Sequence, residues 1–152
     1  MGTPGAIPQP ELIVQHPSRG LGSLTATELF DKAQVALKSA EILLSAGDFD
    51  GCANRAYYAM FDAARAALLN TAGAEHVLAI KSHSGLISFF SQRLVKTGSV
   101  SIALGKSLNK VEDLRLVADY RGDALDAAQA LWALEQARIF VAALLALQGT
   151  KS

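Results

Sequence analysis

The chain has a single cysteine among its 152 residues, so an intrachain disulfide and a cysteine-based metal site are both excluded. Its formal net charge is zero, and it therefore lacks the strong positive field typical of proteins that bind nucleic acid or membrane surfaces. The longest fully apolar run, residues 139–147, is far shorter than the ~20 residues needed to cross a bilayer. No charged segment followed by an apolar core opens the chain, as a secretory signal would. We therefore predict a cytoplasmic protein with no membrane partner.

The sequence also has few residues that favour strands. Alanine and leucine dominate a hydrophobic fraction of 51%, and aromatic residues make up only 7%. This balance favours packed helices over sheets. All four prolines and four of the twelve glycines fall within residues 1–22, where no apolar periodicity is sustained. We predict a flexible arm over residues 1–22 and one domain over residues 23–149.

Five segments after the arm show apolar residues at helical spacing. The first is predicted to begin at a capping box formed by Thr25 and Glu28 and to end at Gly47. Asp48 or Asp50 then caps the second, so these two helices should form an antiparallel hairpin. The second helix carries the apolar stripe Ala53, Tyr57, Met60, Phe61, Ala64 and Leu68.

The remaining helices follow from the same periodicity. The stretch around His76 is predicted to be irregular, and a third helix to begin near Ser82 or Ser84. A fourth is predicted over residues 102–120, and a last one ends near Gly149. Each apolar stripe is too narrow to be buried without neighbours, so the prediction is an all-α, up-and-down bundle of four or five helices.

Polar residues on the second helix form a face of their own: Arg55, Tyr58, Asp62 and Arg65 recur at i, i+3, i+7 and i+10. The segment from Lys81 to Arg121 contains seven basic and three acidic residues, which gives it a charge of +4 in a chain whose total charge is zero. Either a solvated, salt-bridged surface or the wall of a binding site would produce this pattern.

Two further segments carry candidate chemistry. His83 stands near the start of the third helix, where it is either a histidine satisfied by a structural partner or a general acid or base. Arg115 and Asp119 are four residues apart and can form an intrahelical ion pair, with Tyr120 and Arg121 directly after them. An arginine that can hold phosphate beside a group that can move protons is what phosphodiester cleavage or nucleotide binding requires.

Four stretches carry a family resemblance, in this order along the chain: Asn54-Arg55-Ala56-Tyr57-Tyr58-Ala59-Met60-Phe61, Lys81-Ser82-His83-Ser84-Gly85-Leu86-Ile87, Val95-Lys96-Thr97-Gly98, and Leu114-Arg115 through Asp119-Tyr120. Together they resemble the small prokaryotic HEPN-domain proteins over residues 24–148. The resemblance implies a four- or five-helix bundle, commonly a homodimer, in a superfamily that includes metal-independent ribonucleases. Many of those ribonucleases are toxins encoded beside a minimal nucleotidyltransferase antitoxin.

The chain departs from the family pattern at the catalytic motif. Ribonuclease members carry an arginine followed after four to six intervening residues by histidine, whereas here Arg115 is followed by Asp119 and Tyr120. His83 substitutes for the missing histidine only if the fold brings it close to Arg115. The candidate catalytic residues are therefore Arg115, Asp119 and His83, and the candidate substrate-binding residues are Arg55, Tyr58, Tyr120 and Arg121, with no metal or other cofactor.

Two hypotheses follow. In the first, a dimeric HEPN-domain protein binds RNA or a nucleotide in a polar cleft and acts as an endoribonuclease of a toxin-antitoxin module. In the second, the chain is a catalytically inactive dimeric module that binds a partner nucleotidyltransferase, and its polar residues form structural ion pairs only.

Overall fold

The computed structural model describes residues 24–71, 74–122 and 124–150, so the predicted arm at residues 1–22 lies outside the described residues. The described chain forms six α-helices and one π-helical segment, and it contains no strand. In chain order these are α1 (Ala26–Ser45), α2 (Phe49–Leu69), α3 (Ala74–Ala79), α4 (His83–Phe90), the π-helical segment Ser91–Val95, α5 (Ile102–Arg121) and α6 (Ala127–Thr150). The predicted all-α helical bundle is confirmed.

The capping residues predicted for the first two helices are confirmed. The backbone N–H of Glu28 donates to Thr25 Oγ1 at 3.1 Å, and the Thr25 N–H donates to the Glu28 carboxylate at 3.0 Å. Gly47 takes a φ of +83° just after α1, in the left-handed region that favours glycine. Asp48 caps α2 by accepting the Gly51 N–H at 2.8 Å. Three residues therefore connect α1 to α2, and the two helices pack along each other.

Helix α2 lies at the centre of the bundle, where it packs against α1, α5 and α6. Its predicted apolar stripe is buried except for Phe61, which is partly exposed. Much of the remaining buried surface of α2 is alanine, and small side chains allow neighbouring helices to approach closely. The other faces of α2 are therefore also close to neighbouring helices: Asn54 lies beside Asp119 of α5, whereas Asp62 and Arg65 lie beside α1.

The prediction of an irregular stretch around His76 is wrong. Residues 74–79 form the short helix α3, because Val77 is buried in the core and the His76 ring packs on Phe89 with ring centroids 4.7 Å apart. Beyond α4 the helix continues as the π-helical segment, in which Lys96 N–H donates to the Ser91 carbonyl at 2.8 Å. Short helices held by tertiary contacts show only weak periodicity in the sequence.

Helix α6 is long and apolar enough to span a bilayer if only its length and composition are considered. One side of it, however, is buried against the rest of the bundle. The buried residues are Ala130, Ala133, Leu134, Ala137, Phe140, Val141 and Leu144. A core helix of a helical bundle has the same composition, so α6 is accounted for by its packing.

Cys52 provides a test of the packing between α2 and α6. Its Sγ lies 3.7 Å from the Ala130 carbonyl oxygen, and burial raises the pKa of the thiol to about 11. Because the thiolate is the reactive form, we predict that a disulfide reagent at about pH 8 modifies Cys52 only when the bundle opens. The modification rate should then rise with urea in parallel with unfolding. Rapid modification of the folded protein would contradict this packing.

Candidate functional site

Arg115 lies on the buried face of α5. Leu108, Val111 and Ala118 flank it at helical spacing and are all buried, and the arginine itself is only 9% exposed. This position directs a long charged side chain toward α2 instead of toward solvent. A buried arginine must be paired, because the cost of removing an isolated charge from water is large.

Two carboxylates of α5 satisfy the Arg115 guanidinium. Its Nε and Nη2 donate to Glu112 Oε1 at 3.1 and 2.8 Å, and its Nη1 donates to Asp119 Oδ2 at 2.9 Å. Burial opposes the positive charge, but the hydrogen bonds to Glu112 and Asp119 outweigh burial and raise the pKa of Arg115. The predicted ion pair between Arg115 and Asp119 is therefore present. Within the described part of the chain, three of the five guanidinium N–H groups are used and two remain.

Helix α2 provides the aromatic wall beside this arginine. The Arg115 Cζ lies 4.9 Å from the ring centroid of Tyr57 and 5.8 Å from that of Tyr58. These are cation–π distances, and such contacts strengthen where water is excluded. Asn54 Nδ2 also donates to Asp119 Oδ1 at 3.3 Å, so α2 holds both ends of the ion pair.

His83 reaches the same aromatic wall from α4. Ser82 caps this helix by accepting the Gly85 N–H at 2.9 Å, and His83 follows it as the first helical residue. The His83 Nδ1 lies 2.7 Å from the Tyr57 hydroxyl, and its ring packs on Phe61 with centroids 4.7 Å apart. The imidazole is partly exposed, and its Nε2 has no partner among the described residues.

Tyr57 connects His83 to the charged cluster. Burial raises the pKa of its phenol, and Glu112 raises it further through its negative charge and a hydrogen-bonding interaction. The phenol therefore stays protonated at neutral pH. It has one hydrogen to donate and oxygen lone pairs to accept with, so it can donate toward Glu112 while it accepts from His83 Nδ1–H. In that arrangement the free lone pair of His83 is on Nε2.

His83 and Arg115 thus contact the same pair of tyrosine rings. The centroid of the His83 ring lies 5.5 Å from that of Tyr57 and 5.6 Å from that of Tyr58. We call the residues that meet here the tyrosine site: Tyr57, Tyr58, His83, Glu112, Arg115 and Asp119. Its members come from α2, α4 and α5, which are far apart in sequence.

The other predicted site residues are placed differently. Arg55 lies over the ring of Tyr58, with Cζ 5.8 Å from the ring centroid, so it borders the tyrosine site. Tyr120 is 82% exposed and Arg121 is exposed at the end of α5. Neither side chain forms a hydrogen bond or ion pair within the described part of the chain, and the structure does not bring them to the tyrosine site.

Sequence reasoning missed Tyr57 and Glu112 as site residues. The apolar spacing of Tyr57 predicts a core position, and its ring is indeed buried. The same spacing says nothing about the partners of its hydroxyl. Glu112 stands three residues before Arg115 and could have been found as a second carboxylate on the same helical face. Over residues 24–71, 74–122 and 124–150, no three His, Cys, Asp or Glu side chains come together as a metal site would require.

Comparison with known proteins gives a consistent result. Residues 26–147 match the model of the HEPN domain. The chain is 42% identical over 95 residues to the UPF0332 protein glr0978 of Gloeobacter violaceus, which covers 62% of this chain and 71% of that one. It is 35% identical over 89 residues to a UPF0332 protein of Thermotoga maritima, covering 59% and 64% of the two chains.

A third relative bears a functional name. The chain is 30% identical over 93 residues to the Methanocaldococcus jannaschii protein named "Putative toxin MJ0142", which covers 61% of this chain and 60% of the relative.

Proposed function

The chain belongs to the HEPN domain family, and on that premise we propose that the tyrosine site binds RNA and cleaves it, with His83 as the proton-transfer residue. The observation that carries the proposal is the shared contact of His83 and Arg115 with Tyr57. It supplies a cation for phosphate and an imidazole for protons on one aromatic wall, although the family's usual arginine-histidine spacing is absent. The toxin name of the Methanocaldococcus jannaschii relative supports the same class of function.

Each residue has a role that follows from its contacts. The two unused N–H groups of Arg115 bind a non-bridging phosphate oxygen and stabilise the charge that develops on it. Asp119 already accepts hydrogen bonds from Arg115 and Asn54, so we assign it to positioning the guanidinium and not to proton transfer. Tyr58 offers a ring face on which a base can stack.

His83 performs the proton transfer through Nε2. The imidazole takes the proton of the ribose 2′-hydroxyl while the 2′-oxygen attacks phosphorus, and the bond from phosphorus to the 5′-oxygen breaks. Water supplies the proton that the departing 5′-oxygen takes up. The products are a 2′,3′-cyclic phosphate and a 5′-hydroxyl. Tyr57 orients the imidazole through the hydrogen bond between its hydroxyl and Nδ1.

We further propose a homodimer acting in the cytoplasm, with a minimal nucleotidyltransferase as the antitoxin partner. Tyr120 and Arg121 lie outside the tyrosine site of one subunit, so their proposed contact with substrate requires an extended RNA strand or the second subunit.

The test is cleavage of a short unstructured RNA by the purified full chain. We expect products ending in a 2′,3′-cyclic phosphate, and no cleavage of an RNA whose scissile nucleotide carries a 2′-deoxyribose, because the nucleophile is then missing. The deoxy-substituted strand should still bind and compete with the all-RNA substrate. Equal cleavage of both strands would contradict attack by the 2′-hydroxyl.

A second function is favoured by exposed apolar side chains that are not members of the tyrosine site. Four aliphatic side chains are exposed on α1 and α6, namely Val35, Ile42, Leu131 and Ile139. These residues would suit the interaction module that binds a nucleotidyltransferase, with Arg115 serving only in ion pairs. Expression of the chain alone separates the two proposals: growth arrest favours the ribonuclease, whereas harmless expression with stable co-purification of a neighbouring gene product favours the module.

A further inference from the structure

A groove between α1 and α2 adjoins the tyrosine site. Its volume is ≈ 480 Å³. We call it the α1–α2 groove, and its lining residues are Asp31, Lys32, Val35, Arg55, Tyr58, Phe61, Asp62 and Arg65. Two of these residues connect the groove to the tyrosine site. Tyr58 is a member of that site and contacts Arg115, and Phe61 packs on His83.

The unusual group in this groove is the carboxylate of Asp62. The residue is only 8% exposed, and its carboxylate accepts no hydrogen bond from the described part of the chain. Its nearest cation is Arg65, whose Nη1 lies 3.7 Å from Oδ1, beyond hydrogen-bonding distance. Burial raises the pKa of Asp62, against the opposing effect of Lys32, Arg65 and Arg55. No side-chain oxygen among the described residues is both fully buried and without a hydrogen-bond partner, so the Asp62 oxygens are open to the groove and a ligand there can donate to them.

The rest of the groove indicates what kind of ligand fits. Arg55 lies over the Tyr58 ring, and Arg65 lies over the Phe61 ring with Cζ 5.7 Å from the centroid. With Lys32 there are three cations against the two carboxylates of Asp31 and Asp62, a net charge of +1. Aromatic faces beside guanidinium groups suit a flat ring, and the excess of positive charge suits an attached phosphate.

We propose that the α1–α2 groove binds a guanine nucleotide, with the Asp62 carboxylate accepting the N1–H and N2–H donors of the base. Guanine offers two adjacent donors that match the two oxygens of one carboxylate. Adenine and cytosine place an acceptor nitrogen next to their amino group, which repels a carboxylate, and uracil has one donor between two carbonyls. Lys32, Arg55 and Arg65 contact the phosphate.

The guanidinium of a protein arginine also presents paired donors to a carboxylate. The charge of the groove favours the nucleotide, because Lys32, Arg55 and Arg65 would repel a fourth cation. The position of the groove agrees, since a base held against Tyr58 and Phe61 leaves the neighbouring phosphate near Arg115 and His83. The use of this groove for selecting a cleavage site rests on the proposed ribonuclease function, whereas binding of the nucleotide does not.

The test is calorimetric titration of the full chain with 5′-GMP, 5′-IMP and 5′-AMP. We expect 5′-GMP to bind about tenfold more tightly than 5′-AMP, the range of a paired hydrogen-bond contact to a base edge. 5′-IMP, which lacks the 2-amino group, should fall between them. Asp62→Asn should abolish this preference, because the amide replaces one acceptor oxygen with a donor.

Asp31→Asn is the matched control, because it removes the same charge from an exposed position in the same groove. It should keep the preference for 5′-GMP. The thermal unfolding midpoint of Asp62→Asn should not fall, since the change removes a buried charge, and this excludes loss of folding as the cause. Equal affinities for the three nucleotides, or an unchanged preference in Asp62→Asn, would overturn the proposal, as would arginine amide binding where 5′-GMP does not.

The two proposals fail separately. If His83→Ala retains 5′-GMP binding and the wild-type protein does not cleave RNA, the proposal of a ribonuclease is refuted and the proposal of a guanine site is retained. If the wild-type protein cleaves RNA but shows no preference for 5′-GMP, the guanine site is lost and the ribonuclease function stands.

Discussion

Arg115→Leu is expected to lower the free energy of unfolding by about 3 kcal/mol, the loss typical of breaking a buried ion pair on one side. The leucine fills part of the space against Tyr57, but it leaves the Glu112 carboxylate, with 14% of its side chain exposed, without its cation. Asp119 suffers less because 35% of its side chain is exposed and Asn54 still donates to it. Urea unfolding at neutral pH measures the change.

The unpaired Glu112 carboxylate should account for most of this loss. The double variant R115L/E112Q is therefore expected to recover stability relative to Arg115→Leu, because a neutral amide needs no cation. Arg138→Leu is the matched control: it also breaks an arginine-carboxylate pair, with Glu41 at 2.6 Å, but both side chains are more than 40% exposed. Exposed pairs contribute about 0–1 kcal/mol. Equal losses for Arg115→Leu and Arg138→Leu would show that burial of Arg115 has no energetic importance.

The helices could be predicted from the sequence because their signals are local. Thr25 and Glu28 form a capping box within one turn, and Leu134, Ala137, Val141 and Leu144 repeat at a spacing that only a helix brings to one face. The helix over residues 74–79 could not be predicted in this way, because six residues make less than two helical turns and show little periodicity. The burial of Val77, which holds this helix in place, is a tertiary effect.

The tyrosine site could be predicted only in part. Arg115 interrupts the apolar series of Leu108, Val111 and Ala118, and a charge in such a series indicates a paired, buried group. Tyr120 was predicted to belong to the site because it follows Asp119 in the sequence, and this prediction failed. Adjacent residues on a helix point about 100° apart, so the side chain of Tyr120 does not reach the partners of Asp119. The contact of His83 with Tyr57 spans 26 residues, and no local pattern specifies it.

In the proposed ribonuclease, the charges of the tyrosine site assign the attraction of RNA to the groove beside it. The carboxylates of Glu112 and Asp119 outnumber the single guanidinium of Arg115, so these three residues carry a net charge of −1 and do not attract RNA. The cations that could do so are Arg55, Arg65 and Lys32 of the α1–α2 groove. In the proposed ribonuclease, attraction therefore comes from the groove and transition-state stabilisation from Arg115, so the two can be disrupted by different substitutions.

His83→Ala is expected to reduce the rate of RNA cleavage by about 10²- to 10⁴-fold, the usual contribution of a positioned general acid or base. The protein should remain folded, because the imidazole is partly exposed and the Tyr57 hydroxyl can still donate toward Glu112. The rate is measured under single-turnover conditions with a labelled form of the short unstructured RNA. The protein is present at concentrations that saturate the RNA, so differences in binding affinity do not affect the measured rate.

His76→Ala is the matched control. It removes an imidazole that packs on Phe89 in the same way that His83 packs on Phe61, but outside the tyrosine site. Its cleavage rate should be unchanged. Tyr57→Phe keeps the buried ring and removes only the hydroxyl that holds His83 Nδ1, so it should slow cleavage less than His83→Ala does.

RNA binding and urea unfolding separate a chemical role of His83 from a structural one. His83→Ala should bind the deoxy-substituted strand and unfold in urea as the wild-type protein does, whereas a variant damaged in its folding would lose both properties. A wild-type cleavage rate in His83→Ala would remove the imidazole from the mechanism and leave the interaction module as the better account of the chain.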